Sequence, residues 1–106
     1  MVRGRADIEV EALEWDEENV GHLAKHGVTQ AAAESVLVIA PRFFENLEGR
    51  GGTHVMIGPD SDGRYLYVSI AESDIYVGFW RPVTGWPLGR RGPRLYNCGG
   101  EAHAET

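Results

Sequence analysis

The chain has 106 residues, 42% of them hydrophobic, and a formal net charge of −6. That length supports one domain around one core, and the hydrophobic share excludes wholesale disorder. No apolar run approaches the roughly 20 residues of a membrane helix, the first residues lack the apolar core of a signal peptide, and the single cysteine, Cys98, excludes an internal disulfide or a Cys-rich zinc site. The expected setting is therefore cytoplasmic.

A negative balance opposes binding to nucleic acid, but the charge is uneven. Residues 1–18 carry Asp7, Glu9, Glu11, Glu14, Asp16, Glu17 and Glu18 against Arg3 and Arg5. Residues 75–100 carry Arg81, Arg90, Arg91 and Arg94 and no acid. The basic segment can meet phosphate while the acidic end repels it; the plainer reading is a solvated basic segment balancing an acidic head.

In chain order, residues 1–6 read as a frayed leader. Residues 7–13 alternate, with Ile8, Val10 and Ala12 opposite Asp7, Glu9 and Glu11, the period of a half-buried strand. The stretch 15–28 then predicts a short helix. Asp16 suits the N-cap, Glu17 and Glu18 suit its positive end, Lys25 and His26 suit its negative end, and Gly27 suits the closing turn. Val20, Leu23 and Ala24 form an apolar stripe; Asn19, His22 and His26 share another face. Thr29 can cap a second helix running to Pro41. Strands follow over 42–47, 54–58, 65–71 and 75–80, separated by a Gly-rich loop at 48–53, a P-D-S-D-G-R turn at 59–64 and an E-S-D turn. The last three make an antiparallel meander. Two Pro and three Gly over 85–96 permit only a short turn or helix over 90–97. One domain over 1–97 is expected, with a disordered tail over 98–106. The fold class is α+β: an N-terminal strand, two short helices packed on one sheet face, then an antiparallel sheet.

The motif W-D-x-x-N-x-x-H-L-x-K-H-G-V-T, starting at Trp15, resembles the opening of BrnT-type toxins of bacterial toxin–antitoxin pairs. The resemblance extends over 13–84 through a strand ending at Gly58, the pair Gly63-Arg64, and Arg81-Pro82-Val83-Thr84. The family continues with an Arg- and Glu-rich helix bearing a Tyr; this chain departs there, and Pro59 stands where many relatives carry a basic residue. The resemblance implies a small RelE-like ribonuclease fold, RNA as substrate and a cognate antitoxin as partner, in a dimer or a toxin–antitoxin hetero-oligomer.

Metal-free RNA cleavage needs a base for the 2′-hydroxyl, a cation for the phosphorane and an acid for the leaving oxygen. Imidazole serves as acid or base, and guanidinium serves the phosphate. By resemblance, His26 becomes the acid or base, Arg64 and Arg81 the transition-state cations, and Lys25 a phosphate contact. His22, Arg90, Arg91 and Tyr96 are further substrate contacts. Each has a structural reading too: His26 capping the first helix, Arg64 pairing with Asp60 or Asp62, Arg81 bridging to the acidic N-terminal segment. Trp80 and Trp86, interleaved with arginines, can grip a single strand or form a protein interface. His22 and His26 have H-x-x-x-H spacing, but Leu23 stands where a zinc protease has Glu, and only His54 offers a third ligand. No metal or cofactor is expected. The alternative to a ribonuclease is a non-catalytic protein- or nucleic-acid-binding module on the same fold.

Overall fold

A computed structural model describes residues 2–47 and 51–98. The elements are β1 (Val2–Arg5), β2 (Ala12–Leu13), α1 (Glu17–Lys25), α2 (Gln30–Ile39), β3 (Arg42–Asn46), β4 (His54–Pro59), β5 (Tyr65–Glu72) and β6 (Phe79–Pro87). A 3₁₀ turn (Gly89–Arg91) and a short helix α3 (Gly92–Cys98) follow. The strands form one six-stranded sheet in the order β1-β3-β4-β5-β6-β2. All neighbours are antiparallel except β2, which pairs parallel with β6. The α+β class and the meander agree with the sequence reading. Among the described residues no helix is long and apolar enough to cross a membrane. Of the tail expected over 98–106, Cys98 instead ends α3; residues 99–106 and part of the loop at 48–53 lie outside the described residues.

Strand alternation assigns the two faces. Met56 of β4 and Leu66, Val68 and Ile70 of β5 point to α1 and α2, where Leu23, Val28, Ala33 and Val36 complete a core. Val55, Ile57 and Tyr67 point the other way with Phe44, and Leu88, Leu95 and Tyr96 cover them. The expectation that the two short helices pack on one sheet face therefore holds for α1 and α2, while α3 packs on the other face.

The N-terminal segment corrects the sequence reading twice. The expected leader forms an edge strand, β1, and the expected strand over 7–13 pairs only at Ala12–Leu13. Geometry explains the second point. β1 and β2 lie at opposite edges of the sheet, about 24 Å apart at roughly 4.8 Å per strand. The seven steps from Arg5 to Ala12 cover that distance only if nearly fully extended, at about 3.3–3.6 Å per residue. The segment is thus a strap across the sheet: Ile8 and Val10 pack on the core while Asp7, Glu9 and Glu11 are exposed. The alternation marks half-buried extended chain, of which only Ala12–Leu13 joins a ladder and not the expected strand over 7–13.

The last strand also differs from the expected 75–80. Ser73 Oγ accepts hydrogen bonds from the amides of Ile75 and Tyr76 (3.0 Å each), and Gly78 has φ +86°, which folds this segment into a turn. β6 starts at Phe79 and runs through Pro82 and Pro87. It tolerates both prolines because β2 covers only Phe79 and Trp80, leaving the outer edge unladdered beyond them.

α1 sits on that open edge. Asp16 caps it, and Asn19 closes a capping box: Asn19 N donates to Asp16 Oδ1 (3.0 Å) and Asp16 N donates to Asn19 Oδ1 (2.8 Å). Asn19 Nδ2 donates to the carbonyls of Glu14 and Pro82, both at 3.0 Å. Asn19 is 3% exposed, so it belongs to the buried face with Leu23 and not to the exposed face with the histidines, where the periodicity had put it. Ala24, expected in the apolar stripe, is exposed.

Asn19→Ala would strand two buried carbonyls and remove half of the capping box. A loss of about 2–4 kcal/mol is expected, measured as a lowered urea midpoint, with Asn19→Asp also destabilised because it lacks the amide donors.

Candidate functional site

α1 and β6 run side by side in the same direction, and their contacts set the order of the polar side chains along the seam. At the helix start, Arg81 Nη1 donates to Asp16 Oδ2 (2.7 Å) and Nη2 to Asp16 Oδ1 (3.2 Å), with Glu18 Oε1 at 3.8 Å. At mid-helix, His22 Nε2 lies 3.2 Å from Thr84 Oγ1. At the helix end, Gly27 (φ +94°) faces Pro87; a Cβ there would stand 3.2 Å from the proline ring.

His22 and His26 are exposed, one helical turn apart, with ring centroids 4.8 Å apart and edge-on. His26 closes α1 through its backbone amide, which bonds to carbonyls of the last turn, and not through its imidazole. The structural reading of the side chain as a cap is therefore not realised. Lys25 is exposed beside it.

Two cavities open along the seam. One, of about 410 Å³, is lined by His22, Gly51, Tyr67, Ser69, Val83, Thr84 and Trp86. The other, of about 420 Å³, is lined by Glu18, Asn19, His22, Arg81, Pro82 and Val83. They share His22 and Val83 and so make one groove, with the imidazole of His22 at its middle. Beyond Pro87 a third hollow of about 390 Å³ is bordered by Arg64, Tyr65, Gly89 and Arg90.

The predicted catalytic residues do not converge. Arg81 lies opposite Ala71 near one end of β5, and Arg64 immediately precedes the other end. Seven residues of strand separate them, about 23 Å. Each also has a carboxylate: Arg81 has Asp16, and Arg64 Nε donates to Asp60 Oδ2 at 3.1 Å. His26 lies at the Pro87 end of the seam, with its neighbour Gly27 against that proline. Arg90 and Arg91 are exposed on the 3₁₀ turn, Arg90 beside Arg64. Tyr96 is taken up by the fold: its hydroxyl donates to Ala40 O (2.8 Å), and its ring meets Tyr65 and carries the Arg42 guanidinium 4.3 Å above it. His54 packs edge-on against Trp80. Among the described residues no three His, Cys, Asp or Glu side chains cluster as a metal site.

Sequence reasoning missed Tyr67, Ser69 and Thr84 as groove residues. Their signal lies in the β5–β6 register, which sets Tyr67 opposite Trp86 and Ser69 opposite Thr84. Trp86 had been singled out, with no partner. Its ring stacks on Tyr67 at 4.5 Å and 13°.

Charge is separated along β5 and β6. Glu14, Asp16, Glu72 and Asp74 surround a hollow at the Arg81 end, whereas Arg64, Arg90 and Arg91 lie towards the other. The hydrogen bond from Arg81, with the Asn19 amide, holds the Asp16 carboxyl below its ordinary pKa. Burial pushes Asp60 upward, but the amides of Arg64 and Asp62 and the Arg64 guanidinium outweigh it, so its net shift is also downward. The Arg81 guanidinium is held more firmly protonated by the same pair with Asp16.

Comparison with protein-family models, curated proteins and solved structures gives no match.

Two predictions follow from the ion pairs. Depressed carboxyl pKa values mean stability that is complete above the ordinary Asp value, about 3.9, and lost as pH falls through the folded-state values. The urea midpoint should fall below pH 4, and Asp60→Asn should start lower at pH 7 and lose less on acidification. Asp16→Asn keeps an N-cap oxygen but releases the Arg81 charge. The urea midpoint at pH 7 should then fall and less stability should be lost on acidification; an unchanged midpoint would show that the Arg81–Asp16 pair does not stabilise the fold.

Proposed function

We propose that this protein is a metal-independent endoribonuclease of the BrnT-like toxin kind, with a RelE-like fold, that cleaves RNA laid along the α1–β6 groove. The observation that carries this reading is the exposed His22–His26 pair at 4.8 Å beside that groove. Paired imidazoles supply a base and an acid from one residue type. One imidazole takes the 2′-hydroxyl proton. The 2′-oxygen bonds to phosphorus, the bond from phosphorus to the 5′-oxygen breaks, and the other imidazole protonates that oxygen. A 2′,3′-cyclic phosphate and a 5′-hydroxyl result. Lys25 is the nearest exposed cation in sequence for the phosphate, with Arg81 at the groove's far end and Arg64, Arg90 and Arg91 past Pro87. The W-D-x-x-N to H-G-V motif supports the toxin assignment, and with it a cognate antitoxin that covers the groove.

The second reading is a non-catalytic binding module. It is favoured by the carboxylates on both Arg64 and Arg81, which leave neither guanidinium poised for a phosphorane.

The deciding experiment is incubation of labelled single-stranded RNA with purified protein at low salt in EDTA. Wild type should leave cyclic phosphate ends, with a rate that passes through a maximum in pH. His22→Ala and His26→Ala should each slow it by about 10²–10⁴-fold while retaining native circular dichroism. Absence of cleavage by the folded wild type, on free RNA and on ribosome-bound RNA, would leave the binding module.

A further inference from the structure

We propose that the cavity between His22 and Trp86 holds one unpaired nucleobase of a single-stranded nucleic acid. The inference deepens the ribonuclease reading by assigning the substrate a base subsite, and so rests on the same groove.

The floor of the cavity is aromatic. Tyr67 is nearly buried under the Trp86 ring, while Trp86 itself stays 41% exposed although one of its faces lies on Tyr67. A tryptophan held rigid on one face and open elsewhere is a stacking platform, since every base has a π-face and stacking needs no particular sequence. The β5–β6 register, which sets Trp86 opposite Tyr67, keeps this ring at the surface.

The walls carry polar groups. Ser69 Oγ donates to Thr84 O (3.3 Å), Thr84 Oγ1 contacts His22 Nε2, and among the described residues no carboxylate lines the cavity. Hydroxyl and imidazole groups can donate to or accept from a base edge. At about 410 Å³ the cavity falls in the range of small-molecule sites. Gly51 keeps it open. With φ +74° it lines the cavity, where a Cβ would stand 3.3 Å from Ser69 Oγ and 3.4 Å from Thr84 Cγ2. A duplex keeps its bases stacked inside, so a cavity that takes one base beside the groove selects single strands.

His22 joins the two parts of the site. It borders this cavity and also touches His26, so a base seated on Trp86 places the adjoining sugar and phosphate next to the imidazole pair. The cavity thus sets the scissile position relative to a bound base.

The test uses the whole chain and a fluorescent 2′-O-methyl oligouridylate, which binds but cannot be cleaved because its 2′-oxygen carries no proton. Trp86→Ala should weaken binding by roughly tenfold to a hundredfold without changing the salt slope, because no charge is lost. Trp86→Phe should retain most of the affinity. An abasic strand should bind wild type and Trp86→Ala alike, and duplex RNA should not compete. Equal binding of the oligouridylate by wild type and Trp86→Ala, effective competition by duplex, or a dimer of wild type that Trp86→Ala dissolves would overturn the base subsite. Binding with the expected Trp86 dependence but no cleavage of ordinary RNA would remove the nuclease reading and leave the subsite standing. Cleavage insensitive to Trp86→Ala would do the reverse.

Discussion

The buried amide of Asn19 joins three elements at one point. Both of its N–H groups and its oxygen are engaged: Glu14 O at the end of the strap, Pro82 O on the edge of β6, and Asp16 N at the start of α1. The parallel ladder between β2 and β6 covers only Ala12–Leu13 and Phe79–Trp80. Glu14 N then bonds to Trp80 O at 2.8 Å, and the Asn19 side chain supplies the next rung where backbone no longer reaches. A buried carbonyl without a partner costs as much as a substantial part of a domain's stability. A short polar side chain on the helix therefore fixes the height of α1 along β6, and with it which residue of the strand each helix residue faces.

That placement makes the candidate site. Once Asn19 is fixed at Pro82, the helical rise puts His22 at Thr84 and Gly27 at Pro87. The groove is the gap between a helix and a strand whose outer edge is not laddered. The two prolines that make β6 a poor central strand mark the same property that leaves room for a ligand beside it.

The electrostatic arrangement reconciles a net negative chain with a phosphate-binding proposal. Under that proposal, repulsion from the acidic end and attraction at the basic end would orient an incoming polyanion. Arg81 is the exception, a cation inside the acidic end, and its two bonds to Asp16 tie the start of β6 to the start of α1. Tyr96 is a comparable case. Read as a site residue by analogy of position, it instead anchors α3 through Ala40 O and the Arg42 guanidinium.

The sequence by itself determined the helices, their caps, the P-D-S-D-G-R turn and the strands β3, β4 and β5. These rest on signals within a few residues: Asp16 and Thr29 oxygens facing free amides, Gly63 with φ +85°, and alternation along single segments. It also placed His22 and His26 one turn apart, since helical period alone requires that. Only the tertiary structure decided that Asn19 is buried, that residues 6–11 cross the sheet as a strap, and that Tyr67, Ser69, Thr84 and Trp86 share a cavity with His22. It also separated Arg64 from Arg81 by the length of β5. The physical reason is that these relations depend on strand register and on which edge of β6 remains open. Both follow from contacts between segments as far apart as Asn19 and Pro82, and no local pattern records them.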